Sequence, residues 1–377
     1  MAERMAGSVG LDLRLVACDW QTRLAEIDTY QQATIVERFN EVSTYELQLP
    51  ADTDAAQVLL QSARPRIVAI DERTGLVFRS GPVTRFERSS GDAGEQLTLY
   101  GVDDLVWLRR RIVHPQPASA APPYATTAYD TRTGAASTVL AGYVDRNAGP
   151  AATTARQVPG LTVPAPAAFG PTVTLSGRYQ NLLEFVRLAA RAAGVGIRVR
   201  DLVFQVYQPA SEAVFSADLG TLAGWRATSE APETNYVYVA GAGEGTARLI
   251  REYSDAATIP SWGRSETFQD RRDTSATAEL DQSGAETLAD GARPPAVELD
   301  VLDTAAQQFL RDWNVGDRAT VRVGGVTITD VIAEATISLE PNRYATVRPI
   351  IGAAGVSLDQ WRQLAQANRR IRQLERT

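Results

Sequence analysis

Apolar and polar residues alternate in short runs through the first hundred positions. Leu11-Asp-Leu-Arg-Leu-Val16 and Thr44-Tyr-Glu-Leu-Gln-Leu49 each place one apolar face on a strand, and Pro50 stops the second. Arg66-Ile-Val-Ala-Ile70 and Leu76-Val-Phe78 flank a turn at Asp71 to Gly75. Gly81 to Glu87 and Gln96 to Tyr100 flank the polar tip from Ser89 to Gly94. The pattern predicts an all-β module over 1–102, a small barrel or sandwich with evenly spaced strands.

The spacing then changes to that of a helix. Over Asp103 to Val113, residues Leu105, Leu108 and Ile112 share one face, and Pro115 ends the run. Residues 115–175 are rich in Ala, Pro, Thr and Gly, so loops are expected there, with a short helix near Ala136 to Tyr143. Gln180 to Ala193 carries a broad apolar stripe closed by Gly194, and strands follow at Gly196 to Arg200 and Leu202 to Tyr207. Further strands read at Thr234 to Ala240 and Arg248 to Tyr253, and a helix or extended link covers Thr274 to Ala289.

A last β module is expected over 286–355. Its strands are Ala296 to Val301, Arg318 to Val323, Val326 to Ile332, Ala335 to Leu339 and Thr346 to Ile351, with turns at Gly324-Gly325 and Pro341-Asn342. The tail over 356–377 reads as a helix: Ser357 and Gln360 form a capping box, and Trp361, Leu364, Asn368 and Ile371 recur at spacings of three and four. Asn368 within that seam suits self-association, because a buried Asn there sets register and oligomer state. The expected organisation is therefore 1–102, 103–175, 176–285, 286–355 and 356–377. The fold class is mainly β (α+β), with two small β modules, an α/β middle region and a short C-terminal helix.

Composition narrows the chemistry. A chain of 377 residues predicts several modules, and no run approaches the roughly 18 apolar residues of a membrane-spanning helix. No signal-peptide pattern is visible near Met1, so synthesis in a host cytoplasm without membrane insertion is expected. All 38 basic residues are arginine, and the net charge of −7 argues against nucleic-acid binding as the main task. An acidic surface would instead let a polyanion slide past without sticking. Cys18 is the single cysteine and reads as a small buried strand residue.

Catalytic motifs are scarce. One histidine, His114, permits no His-rich metal site and reads as a surface residue before Pro115; the absence of lysine removes the P-loop and SxxK chemistries. Asp103-Asp104 and Asp71-Glu72 are the acid pairs a glycosidase would need, but acids at a helix start are accounted for by the macrodipole. Gly241, Gly243 and Gly245 follow a strand with GxGxG spacing and precede another, which predicts a hairpin loop rather than a dinucleotide site. No catalytic, metal or cofactor-binding residue is expected. Arg109, Arg110 and Arg111 form a basic run suited to a solvated face or to a neighbour's acidic surface.

The order of these parts resembles the tail-tip and baseplate hub proteins of long-tailed phages, including minor tail proteins of actinobacterial phages. Asp71 to Gly75 followed by Tyr100-Gly-Val-Asp-Asp-Leu-Val-Trp-Leu-Arg-Arg-Arg-Ile-Val113 is similar to that family's first tube-like barrel and crossover helix. Asn181-Leu-Leu-Glu-Phe through Gly194-Val-Gly-Ile-Arg-Val199 resembles its middle helix and strand. Trp262-Gly-Arg-Ser-Glu and Trp313-Asn-Val-Gly-Asp-Arg-Ala-Thr-Val321 resemble its links to the last barrel, while 115–175 matches none of its motifs.

The resemblance implies two tube-like β-barrel modules per chain and a homotrimer forming a pseudo-sixfold ring. Its partners would be the distal tail protein or tail tube above, a fibre, spike or tape-measure protein below, and DNA passing through the lumen without specific binding. It implies a structural, non-enzymatic virion component, with Trp361, Leu364, Asn368 and Ile371 as handoff residues and Arg109, Arg110 and Arg111 at an intersubunit contact. A tail-associated cell-wall hydrolase and the hub of a contractile injection system are the competing readings.

Overall fold

The computed structural model describes residues 11–352, apart from 92–93, 120–125, 210–211, 229, 273, 293–295, 303, 305–306, 324–325, 342 and 344. The chain divides into two compact units: residues up to Ala213 with Asp300–Arg318 and Ile332–Pro349 form the first, and Val214–Leu299, Ala319–Val331 and the residues from Ile350 belong to the second. The architecture is mainly β with helices interspersed.

The first unit opens with β1 (Leu13–Asp19), β2 (Thr22–Glu26), β3 (Gln32–Arg38), β4 (Thr44–Pro50), α1 (Asp54–Gln61), β5 (Pro65–Asp71), β6 (Val77–Gly91) and β7 (Gly94–Val102). The strands are antiparallel in the order β3-β4-β7-β6-β5-β1-β2. β6 makes the turn in this sheet: Val77 to Pro82 pair with β5, and from Val83 onward it pairs with β7. A register shift between Val83 and Arg85 bends the strand where it changes partners, as a bulge does. β1 and β5 are buried on both faces, with Leu15 and Ala69 inside one and Val16, Cys18, Val68 and Ile70 packed together on the other. Cys18 is buried, which pushes its thiol up to about 11.

One helix interrupts the expected all-β module. α1 spans eight residues, and Thr53 caps it by accepting from the Ala56 amide at 3.3 Å. Its buried face is Ala55, Ala56 and Leu59.

The same unit continues through α2 (Val106–Arg109), β8 (Asp130–Ala135), α3 (Ala136–Asn147), β9 (Thr172–Gly177), α4 (Leu182–Ala193), β10 (Gly196–Arg200) and β11 (Val203–Tyr207). The helix expected over Asp103 to Val113 is a single turn. Its continuation is drawn into backbone pairing, since the Leu182 amide donates to Arg111 and the Tyr179 amide to Val113, which leaves Ile112 exposed. The region 115–175 is more ordered than a loop: β8 pairs with β9 over six residues, and α3 is longer than the expected helix. α3 and α4 pack Leu140, Tyr143, Val144, Leu183 and Val186 into one core with Ile197 and Phe204. α4 starts on Asn181, which accepts from the Glu184 amide, and stops at Gly194 in the left-handed region.

The second unit holds most of the remaining elements: β12 (Glu212–Ser216), β13 (Leu222–Thr228), β14 (Tyr236–Ala240), β15 (Ile250–Ser254), α5 (Ile259–Trp262), β16 (Glu266–Asp270), α6 (Thr277–Gly291), β17 (Ala296–Val301), β18 (Arg318–Val323), β19 (Val326–Leu339) and β20 (Thr346–Gly352). β14 and β15 form the hairpin expected around Gly241 to Gly245, and β16 joins β14 in parallel. α6 covers one face of this sheet through Leu280 against Val237 and Val239. The two strands expected at Val326 to Ile332 and Ala335 to Leu339 are one, β19. Its last residues, in the first unit, pair with β3 from Glu334 opposite Arg38 to Leu339 opposite Ala33. The Gly324-Gly325 turn lies outside the described residues.

Candidate interaction site

Where β7 runs into α2, the chain carries two adjacent acids, and the fold buries both. Asp104 is fully enclosed beside Arg66 of β5, itself 1% exposed, with the guanidinium donating to its carboxylate at 2.5 Å. Ser80 of β6 donates to the same oxygen at 2.6 Å, and the Trp107 indole to the other at 3.1 Å. Arg66 also donates to the Trp20 carbonyl at 2.9 Å, and the Trp20 and Trp107 rings meet edge to face. Trp20 sits at φ 53, a strained backbone for a bulky residue, held in place by that hydrogen bond. Burial pushes the Asp104 carboxyl up and Arg66 pulls it down, with the upward effect dominant. These acids therefore serve the interior, not the helix dipole.

Asp103 lines a cavity of about 30 Å³ between Leu15, Ile35, Tyr45, Leu47 and Arg79, room for a water and not for a substrate. Its carboxylate accepts from the Leu105 amide, and burial pushes its pKa up to about 6, against the pull of Arg79. Arg79 is ion-paired with buried Glu37. Ionising Asp103 thus costs stability: its contribution is full below about 4, the unfolded value, and is lost as pH rises through about 6. Asp103→Asn keeps the acceptor and Arg79 keeps Glu37, so this variant is expected to melt above the parent at pH 7.5. The gain corresponds to roughly 3 kcal/mol at most and vanishes near pH 4. Paired thermal melts across that range check it; parallel curves would refute it.

The basic run divides. Arg109 and Arg110 are exposed, and the Arg110 guanidinium stacks 4.8 Å over the Trp107 ring. Arg111 turns inward, donating to the Arg156 carbonyl at 2.9 Å, and burial lowers its pKa. Exposed Ile112 and Tyr179 adjoin the run along the 111–113 and 179–182 pairing, so the surface offered there is Arg109, Arg110, Ile112 and Tyr179. His114 is buried rather than at the surface: its amide donates to Asn147, its ring meets Tyr179 edge to face, and burial lowers its pKa. Trp361, Leu364, Asn368 and Ile371 lie outside the described residues.

Among the described residues, no group of three or more His, Cys, Asp or Glu is placed to hold a metal ion, and no helix is long and apolar enough to cross a membrane.

Two solved structures share the fold over nearly their whole length. A tail protein from Neisseria meningitidis MC58 is 12% identical with a TM-score of 0.56, covering 92% of this chain and 98% of that one. The 43 kDa tail protein of prophage MuSo2 from Shewanella oneidensis is 10% identical with a TM-score of 0.54, covering 90% and 98%. No curated protein matches. Residues 14–353 match the family described as Siphovirus ReqiPepy6 Gp37-like protein. With nine-tenths of its length inside that match and the fold of phage tail proteins around it, the chain belongs to the Siphovirus ReqiPepy6 Gp37-like protein family.

Proposed function

We propose that this protein is the structural hub of a phage or phage-like tail tip, a trimer that joins the tail tube or distal tail protein to a fibre or spike. The observation that carries the reading is the fold shared with a tail protein and a prophage tail protein over nine-tenths of this chain, not over one module. Three copies, each contributing its 1–102 and 286–355 segments as equivalent ring elements, would convert threefold into sixfold symmetry without a second gene product. Arg109, Arg110, Ile112 and Tyr179 form the proposed intersubunit contact, and the 357–377 segment the handoff to the next component. The role needs no catalysis, and Asp104, the most enclosed acid among the described residues, is engaged by Arg66, Ser80 and Trp107.

Mass photometry of the full chain is expected to give three times 40.8 kDa, and deletion of residues 357–377 to shift the population toward the monomer. A chain that stays monomeric at micromolar concentration, or that is missing from tail tips in labelled particle images, removes the hub reading. Clearing of cell-wall polymer in a zymogram, abolished by a carboxylate substitution, would put the hydrolase in its place.

A further inference from the structure

Three arginines of the first unit gather around two rings, and among the described residues only Arg79 has an ion pair, although Asp317 acts on Arg198 and Asp103 on Arg79 through their charge. Arg79 and Arg200 lie 5.2 and 6.0 Å from the Phe78 ring, and Arg198 lies 4.5 Å over Tyr207. Arg79 pairs with Glu37. Among the described residues, Arg198 donates only to the Gln205 side chain at 2.8 Å, and neither it nor Arg200 has an ion pair. The Nε atoms of Arg79 and Arg200 are buried without a hydrogen-bond partner. Burial lowers the pKa of all three, and Arg200 lowers the other two further by like-charge repulsion. Leaving the two buried Nε donors of Arg79 and Arg200 unmet in such surroundings is costly unless something supplies acceptors.

We propose that Arg79, Arg198 and Arg200 form a binding site for one oxyanion, a carboxylate or phosphate-like group. Arg198 and Arg200 stand on the same side of β10, two residues and so about 7 Å apart, a gap that two planar forks can close around a single group carrying several acceptor oxygens. Tyr207, whose pKa is raised by burial, keeps its proton and lines the site beside Arg198. The group has two possible sources with the same chemistry. One is an acidic side chain of another copy of this chain, which carries 45 acids against 38 arginines; the other is a free ion.

The test uses the full chain with inorganic phosphate as the probe. Thermal melts are run in chloride and with 0 to about 10 mM phosphate at constant ionic strength, a range where a millimolar site responds. The set is the parent, Arg198→Gln/Arg200→Gln, and Arg85→Gln as an exposed control. Phosphate should raise the parent midpoint by about 3 °C, leave the control's response intact and lose most of its effect on the double variant. Where the oligomer is unchanged, the double variant in chloride alone should melt no lower than the parent, because it relieves a like-charged cluster; a lower midpoint with the oligomer intact and no phosphate response would mark a purely structural pair. Mass photometry of the same proteins separates the sources: loss of the oligomer in the double variant assigns the site to another copy's carboxylate, and an intact oligomer with a phosphate response assigns it to a free ion. If neither the phosphate response nor the oligomer depends on Arg198 and Arg200, the site is refuted. The hub reading stands or falls separately, on the position of the chain in the particle.

Discussion

Asp104→Ala is expected to destabilise the first unit by about 3–5 kcal/mol, the cost typical of leaving one member of a buried ion pair behind. Three donors converge on that carboxylate, from Arg66, Ser80 and Trp107. Removing it strands a guanidinium that is 1% exposed and already has one unmet Nε. The damage should spread, because Ser80 also accepts from the Asp201 amide and so ties the N-terminal sheet to the β10–β11 hairpin of the same unit. Urea titration followed by tryptophan fluorescence is a suitable readout, since Trp20 and Trp107 both touch the pair. Replacing both partners with apolar residues of similar volume, as in Arg66→Met/Asp104→Leu, should recover part of the loss, since no charge is then left unpaired. A double variant as unstable as Asp104→Ala alone would mean that the pair acts through shape rather than charge.

Much of the β architecture was legible in period-two alternation. Thr44 to Leu49 and Arg318 to Val323 became strands because a sheet with one packed face needs that pattern, and the alternation from Leu11 led into β1 at Leu13, a strand that the fold then buries on both faces. The β14–β15 hairpin was legible too, since the chain alternates on both sides of Gly241 to Gly245. The errors have tertiary causes. α1 is only eight residues long between two strands, too short for its period to stand out, and its one local signal was the Thr53 cap. Leu105 and Leu108 do lie on one buried helical face, but residues 111–113 are taken by backbone pairing with 179–182, which local spacing does not encode. His114 is buried by partners at 147 and 179.

The candidate interaction site was legible only in part. Arg109 and Arg110 are exposed as their charge run implied, whereas Arg111 is held by Arg156, far along the chain. Arg66 and Asp104 stand 38 residues apart and carry no shared motif. The one available sign was an arginine at the head of the apolar run Ile67 to Ile70, on a strand with both faces buried, where a cation requires a partner. Arg198 and Arg200 gave a similar sign, two arginines on alternate positions of a strand whose intervening residue, Val199, is core.

Gly81→Ala should be at least as damaging as the loss of Asp104, with a penalty of about 4 kcal/mol or more, and low soluble yield as its first symptom. β6 crosses the start of the α2 segment at Gly81, where an added Cβ would lie 1.9 Å from the Val102 carbonyl oxygen and 2.6 Å from the Asp103 Cα. Both obstacles are backbone, so no rotamer change relieves them, and a shift of either strand would disturb the register of Gly81 opposite Ile67. Gly101 presents the contrasting case: its added Cβ would meet the Tyr45 ring at 2.0 Å, a side chain that a second substitution can remove. Gly101→Ala should therefore be partly rescued by Tyr45→Leu, while Gly81→Ala should not be. Gly91→Ala, with nothing within 4 Å of the new methyl, should stay within about 0.5 kcal/mol of the parent. Urea midpoints of these variants decide the matter: a mild Gly81→Ala would show that β6 does not pass the 102–103 backbone this closely, and with it the packing that encloses Asp103 and Asp104 would have to be redrawn.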